Sequence, residues 1–167
     1  MEFCVQRDDT PRLAVLGVFS HYKNLHHRSS IRSTWLPAAS QTMSEAILTR
    51  FVMRGVGLAS NATDEAAAHG DIVFVRGVAT MGRKSGPLQT LMLWFSCAVS
   101  AWPSAELVGK GDDDVWAHMP SVAAVSVLAP HPSLRASSPA WASHATFCIA
   151  ASPWVAQLLA RSATSYR

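Results

Sequence analysis

The sequence is poor in charge: 15% of its 167 residues are Asp, Glu, Lys or Arg, and after Asp114 it contains neither Asp nor Glu. No run of Lys and Arg and no basic stripe interleaved with aromatics is present, so the net charge of +3 offers no footprint for a nucleic acid. Such a modest positive balance suits an anionic small molecule equally well, or carries no information about a partner. No apolar run reaches the ~18–20 residues of a membrane span. The opening "MEFCVQRDDTPR" has neither the basic start nor the apolar centre of a signal peptide. Work in a lumen would therefore need a targeting segment outside this chain, and the sequence reads as a truncated protein. Its three cysteines, Cys4, Cys97 and Cys148, match no metal-ligand spacing. Buried thiols are the plain reading, and one disulfide with a spare thiol is the other. There is no G-x-S-x-G elbow, and residues 112–123 lack the closing Glu of an EF-hand.

What is present is an alternation. "RLAVLGVFS" (12–20) is a continuous apolar run of strand length, as a strand covered on both faces should be. A helix over 21–37 follows, with Arg28, Ile31, Arg32 and Trp35 on one face. Two arginines beside Ile and Trp suggest an anion at that face. "ILTRFVMRG" (47–55) predicts a second strand, and "NATDEAAAHG" (61–70) a helix with Thr63 as N-cap and Gly70 past its end. "DIVFV" (71–75) predicts a third strand. A helix over 87–102 has Leu88, Leu91, Phe95 and Val99 along its expected buried face, and "AELVGK" (105–110) is a fourth strand. A helix over 120–130, a strand over 141–150 and a helix over 152–162 complete the pattern. The expected fold class is α/β, a mostly parallel Rossmann-like sheet with helices on both faces. One domain spans 12–167 behind an N-terminal tail over 1–11.

In such sheets ligands bind beyond the C-terminal ends of the strands. There stands "KGDDDVW", which places three of the chain's eleven acids in a row. Crowded carboxylates repel one another unless a cation lies between them, and hard oxygen ligands suit Mg²⁺ or Mn²⁺. Alternation along an extended chain sets Asp112 and Asp114 on one side and Asp113 on the other, which assigns the outer pair to metal and ligand and Asp113 to structural hydrogen bonds. A solvated Asp-rich turn is the plainer alternative. Val115 and Trp116 look ready for burial, and Trp116 is the tryptophan to place near a sugar. His21, His26 and His27 read as surface residues, His118 as structural although close to the acids. Asn61-Ala62-Thr63 is an N-glycosylation acceptor triplet, a pattern that chance produces often.

In order, "RSSIRSTWL", "RFVMRG", "EAAAHGDIVFV", a helix with Trp94 and Cys97, and "LVGKGDDDVW" resemble glycosyltransferase family 31, the β-1,3-galactosyltransferase and N-acetylglucosaminyltransferase family, over residues 12–116. The form "KGDDD" is most similar to protozoan members. The resemblance implies a GT-A fold whose nucleotide-sugar-binding half is 12–116, with 117–167 a shortened acceptor-side remnant and the C-terminal part incomplete. It implies Asp112 and Asp114 as the DXD acids for Mn²⁺, with Arg28, Arg32, Asp71, Lys110, Asp112 and Asp113 at the nucleotide sugar and Trp35 as packing. The donor would be UDP-galactose or UDP-N-acetylglucosamine, the acceptor a glycan, and the place the Golgi membrane or lumen, since family members are membrane-anchored. Where the family has a helix lysine this chain has Gln89, which carries no charge. The family's "C.G..Y..S" strand-helix is echoed only by "FCIAASPW", with Ala150 and Pro153, and its catalytic acid would lie past this sequence. The expected function is UDP-sugar-dependent hexosyl transfer in protein glycosylation. The alternative is an inactive fragment or nucleotide-sugar-binding module without acceptor site or base.

Overall fold

The computed structural model describes residues 5–36, 46–54, 60–76, 85–117, 119 and 148–151. Within them the order is β1 (Arg12–Phe19), α1 (Leu25–Ser33), β2 (Ile47–Arg54), α2 (Ser60–His69), β3 (Ile72–Val75), α3 (Ser85–Ala101), β4 (Ala105–Asp112) and β5 (Cys148–Ala151). The expected helices at 120–130 and 152–162 lie outside the described residues, and of the expected strand at 141–150 only β5 lies within them.

The strands form one sheet in the order β3-β2-β1-β4-β5. The first four are mutually parallel, and β5 runs antiparallel to β4 with Lys110 opposite Cys148. β1 occupies the centre because it is the most apolar stretch, with Ala14, Val15, Leu16 and Val18 all buried. Its alternate residues feed two cores, as the two-residue period of a strand requires. Ala14, Leu16 and Val18 pack with Ile31, Trp35 and Phe51 on the face that α1 covers. Val15 packs with Val52, Val73, Val108 and the residues of α3 on the other. The sheet is thus the mostly parallel, doubly covered α/β layer expected of the sequence.

Three local expectations need correction. α2 begins at Ser60, so Thr63 sits inside its first turn rather than at the cap. Gly70 does follow its end, at φ 65°, the left-handed value that glycine takes without a side-chain clash. The buried face of α3 is Thr90, Trp94, Cys97, Ala98 and Ala101, with the expected Phe95 and Val99 partly buried against the same core, whereas Leu88 and Met92 are exposed. The reason is space: Gly17 on β1 leaves a hollow that the Trp94 indole fills, and small residues flank the indole where helix and sheet approach closely. Finally, Trp116 is exposed, at 68%.

Residues read as a tail are held against α3. The Asp8 N–H donates to the Ala101 carbonyl at 2.7 Å, and Val5 packs on the α3-side core. Cys97 is disulfide-bonded, which displaces the buried-thiol reading. Reducing that bond should lower the unfolding free energy by about 2–4 kcal/mol. Urea denaturation with and without dithiothreitol measures this, and coincident transitions would contradict it.

Candidate functional site

Strand order reverses direction between β1 and β4, since β2 follows β1 on one side while β4 lies on the other. Their C-terminal ends are adjacent, with Phe19 opposite Asp112. This is the topological switch point of a doubly wound sheet, where loops diverge and leave a crevice. The acid triplet sits there. Asp112 is the last residue of β4, and Asp113 and Asp114 form the turn beyond it.

The three carboxylates have separate surroundings. Asp112 is 38% exposed at its side chain and pairs with the Lys110 ammonium, which in turn lies over the Phe19 ring at 5.4 Å. Asp114 is exposed. Asp113 turns toward α1, with only 10% of its side chain exposed. Its Oδ2 accepts hydrogen bonds from Ser20 Oγ at 2.5 Å and Asn24 Nδ2 at 3.0 Å, and its backbone N–H donates to the Phe19 carbonyl at 3.1 Å. His27 Nδ1 lies 3.5 Å from Oδ1. Asn24 is the N-cap of α1, yet its side chain makes no cap hydrogen bond. N-cap side chains ordinarily accept from the first turn of their helix; this one donates to Asp113 instead.

Arg28 and Arg32 do share a face, one helical turn apart, and the anions that they meet are the chain's own. Arg28 is fully buried. Its Nε and Nη2 donate to the two oxygens of Glu65 at 2.9 and 2.6 Å, Nη1 donates to Ser20 Oγ and the His21 carbonyl, both at 2.7 Å, and Nη2 also reaches the Tyr22 carbonyl at 3.4 Å. All five donors of the guanidinium are engaged, so in this arrangement none is left for a phosphate. Arg32 donates bidentately to Asp71, at 2.8 Å twice, and to Glu65 Oε1 at 2.7 Å. Burial pulls the Glu65 carboxyl upward, but hydrogen bonds from Arg28 and Arg32 and then their charges outweigh it and hold it below its ordinary range. Burial likewise pulls Arg32 down, and the bonds to Asp71 and Glu65 outweigh it, so its pKa is raised.

The structure therefore brings Lys110, Asp112, Asp113 and Asp114 together at the strand ends and connects Arg28 to them through Ser20. Arg32 and Asp71 lie apart from them, one turn further along α1 and at the start of β3, whose first residue Ile72 pairs with Phe51. Trp35 is buried in the α1-side core. Asn61 is exposed in the first turn of α2, and His118 lies outside the described residues. Sequence reasoning passed over Glu65, Ser20 and Asn24 and placed His27 on the surface, where its Nδ1 is in fact buried without a hydrogen bond. The available signal for Glu65 was an acid embedded in "EAAAHGD", a helix otherwise small enough to pack closely.

Among the described residues no group of three or more His, Cys, Asp or Glu side chains converges on a metal position. No helix among them is long and apolar enough to cross a membrane. A pair of carboxylates open to solvent is still the donor set that a hard divalent ion accepts when a substrate's phosphates complete its shell.

The sequence that builds this site is similar to those of known proteins. The profile of the family described as Galactosyltransferase matches residues 26–135. Probable beta-1,3-galactosyltransferase 3 of Arabidopsis thaliana is 32% identical over 112 residues, which cover 62% of this chain and 26% of that protein. Probable beta-1,3-galactosyltransferase 1 of the same plant is 29% identical over 117 residues, covering 65% of this chain and 29% of that protein. The aligned part is thus under a third of the length of these curated relatives. The family profile begins within α1, takes in β4 and its acid turn though not β1, and covers more than half of the sequence: the chain belongs to the galactosyltransferase family.

Proposed function

We propose that this chain is the donor-binding part of a UDP-sugar-dependent hexosyltransferase, which moves galactose or N-acetylglucosamine in β-1,3 linkage to a glycan. The observation that carries the reading is the acid turn at the β1–β4 switch point, with Asp112 and Asp114 open and Asp113 tied down. Asp112 and Asp114 would hold Mn²⁺ together with the diphosphate. Such an ion offsets the charge that grows on the β-phosphate as UDP departs. Lys110 keeps Asp112 oriented and supplies a second positive charge beside that position. The exposed indole of Trp116, two residues past Asp114, offers an apolar face for a sugar ring. In this division residues 12–116 bind donor and 117–167 belong to the acceptor side. The disulfide at Cys97 supports an oxidising compartment such as the Golgi lumen.

Titration calorimetry with UDP tests the reading. Affinity should rise at least about tenfold when Mn²⁺ is present, and Asp114→Ala should remove that gain, as expected where phosphates complete the metal shell. Equal affinity with and without Mn²⁺ would remove the ion from the site.

One observation favours a second reading, a nucleotide-sugar-binding module that does not transfer. Residues 115–167 contain no Asp or Glu to deprotonate an acceptor hydroxyl, a task worth about 10²–10⁴ in rate. Comparing transfer to a glycan with hydrolysis of the same UDP-sugar separates the two.

A further inference from the structure

We infer that Glu65, Arg28 and Ser20 form a directed hydrogen-bond chain that positions the acid turn through Asp113, so that Arg28 acts on the metal–diphosphate site at one remove and not by touching a phosphate; this rests on the donor-binding reading above. The direction follows from the chemistry of each group. A guanidinium only donates, so Ser20 Oγ must accept from Arg28 Nη1 at 2.7 Å. A hydroxyl has one hydrogen, and with Arg28 occupying a lone pair that hydrogen goes to the nearer and charged acceptor, Asp113 Oδ2 at 2.5 Å, over the His21 carbonyl at 3.4 Å. Arg28 is itself fixed by both oxygens of Glu65, on a separate helix. Buried hydrogen bonds in series polarise one another.

Asp113 is the covalent neighbour of both open acids. Its side chain is clamped by Ser20 and Asn24 and its backbone by Phe19. Fixing it sets the direction in which the chain leaves β4, and with it the positions from which Asp112 and Asp114 project. Ligands held by such outer contacts meet an ion without first being ordered. The N-cap residue Asn24, whose side chain serves Asp113 in place of its own helix, belongs to the same clamp.

The test is Mn²⁺ titration into the full chain saturated with UDP, for the wild type, Ser20→Ala, Ser20→Thr, Asp113→Asn and the Ser20→Ala/Asp113→Asn pair. Ser20→Ala should weaken Mn²⁺ binding about tenfold, the scale of a hydrogen bond to a charged group. Ser20→Thr, which keeps the hydroxyl, should restore it to within about twofold of the wild type. In the Asp113→Asn background Ser20→Ala should cost clearly less than in the wild type, because the hydroxyl then meets a neutral acceptor instead of a charged one. A purely structural role for Ser20 would give additive losses, and that result overturns the inference. So does a wild-type affinity in Ser20→Ala while the wild type remains Mn²⁺-dependent, an outcome that leaves the donor-binding reading standing. UDP binding indifferent to Mn²⁺ in the wild type overturns both. Should Asp113→Asn not fold, the contrast between Ser20→Ala and Ser20→Thr decides alone.

Discussion

Arg28→Met should cost about 3–5 kcal/mol of folding free energy, the usual penalty for removing one partner of a buried ion pair. Glu65, 8% exposed, would keep Arg32 but lose two hydrogen bonds, and Ser20 and the His21 and Tyr22 carbonyls would lose their donor. Against a typical domain stability of about 5–15 kcal/mol this is a large fraction. Arg28→Met combined with Glu65→Met should recover part of the loss, because no unpaired charge then stays buried. The pH dependence follows from the depressed Glu65 carboxyl. A group held below its unfolded value, about 4.3 for Glu, contributes its full stabilisation above that value and loses it as pH falls through the folded one. Wild-type stability should therefore decline below about pH 4.3 more steeply than that of the double variant, which lacks this group. Urea denaturation from pH 7 to 3 reads both effects, and a loss under about 1 kcal/mol for Arg28→Met would refute the buried-pair account.

Trp94→Ala should be comparably damaging, at about 3–5 kcal/mol. The indole is fully buried, fills the hollow above Gly17, and donates from Nε1 to the Gly109 carbonyl at 3.0 Å, so its loss leaves both a cavity and an unmet acceptor. The converse change, Gly17→Ala, would set a methyl group 2.7 Å from the indole Cζ2 and Nε1. Overpacking of that kind costs about 1–3 kcal/mol. Since the two residues occupy one volume, Gly17→Ala should be milder in a Trp94→Leu background than alone. Additive costs in the double-mutant cycle would mean that the two sites do not share that space.

What the sequence revealed follows from how local each determinant is. β1 was legible because a strand covered on both faces must be apolar at every position, and "LAVLGV" is. The acid turn was legible because its placement needed only the end of β4 and the rule for parallel sheets. The Arg28–Arg32 face was legible from helical spacing, but its partner was not, since Glu65 lies 37 residues beyond Arg28 and meets it only once the chain has folded. The face of α3 was legible in part: Phe95 and Val99 do pack against the core, but hydrophobicity also favours the exposed Leu88 over Ala98 and Ala101. Close packing over a glycine selects the small residues instead. Trp116 was expected inside for the same reason, and a large apolar side chain does not by itself dictate burial.

The sheet's order also bears on how the chain acquires its shape. Ala14 pairs with Ile47 on one side and with Leu107 on the other, so the β1–β4 seam closes nearly three times as much chain as the β1–β2 seam. Loop-closure entropy grows only logarithmically, so this adds about 1 kcal/mol, yet contacts distant in sequence are the slow ones to form. The crevice that would hold the nucleotide lies on that long-range seam. During folding β1, β2 and their helix can associate before β4 completes the acid turn, so a binding site there would be a late product of folding.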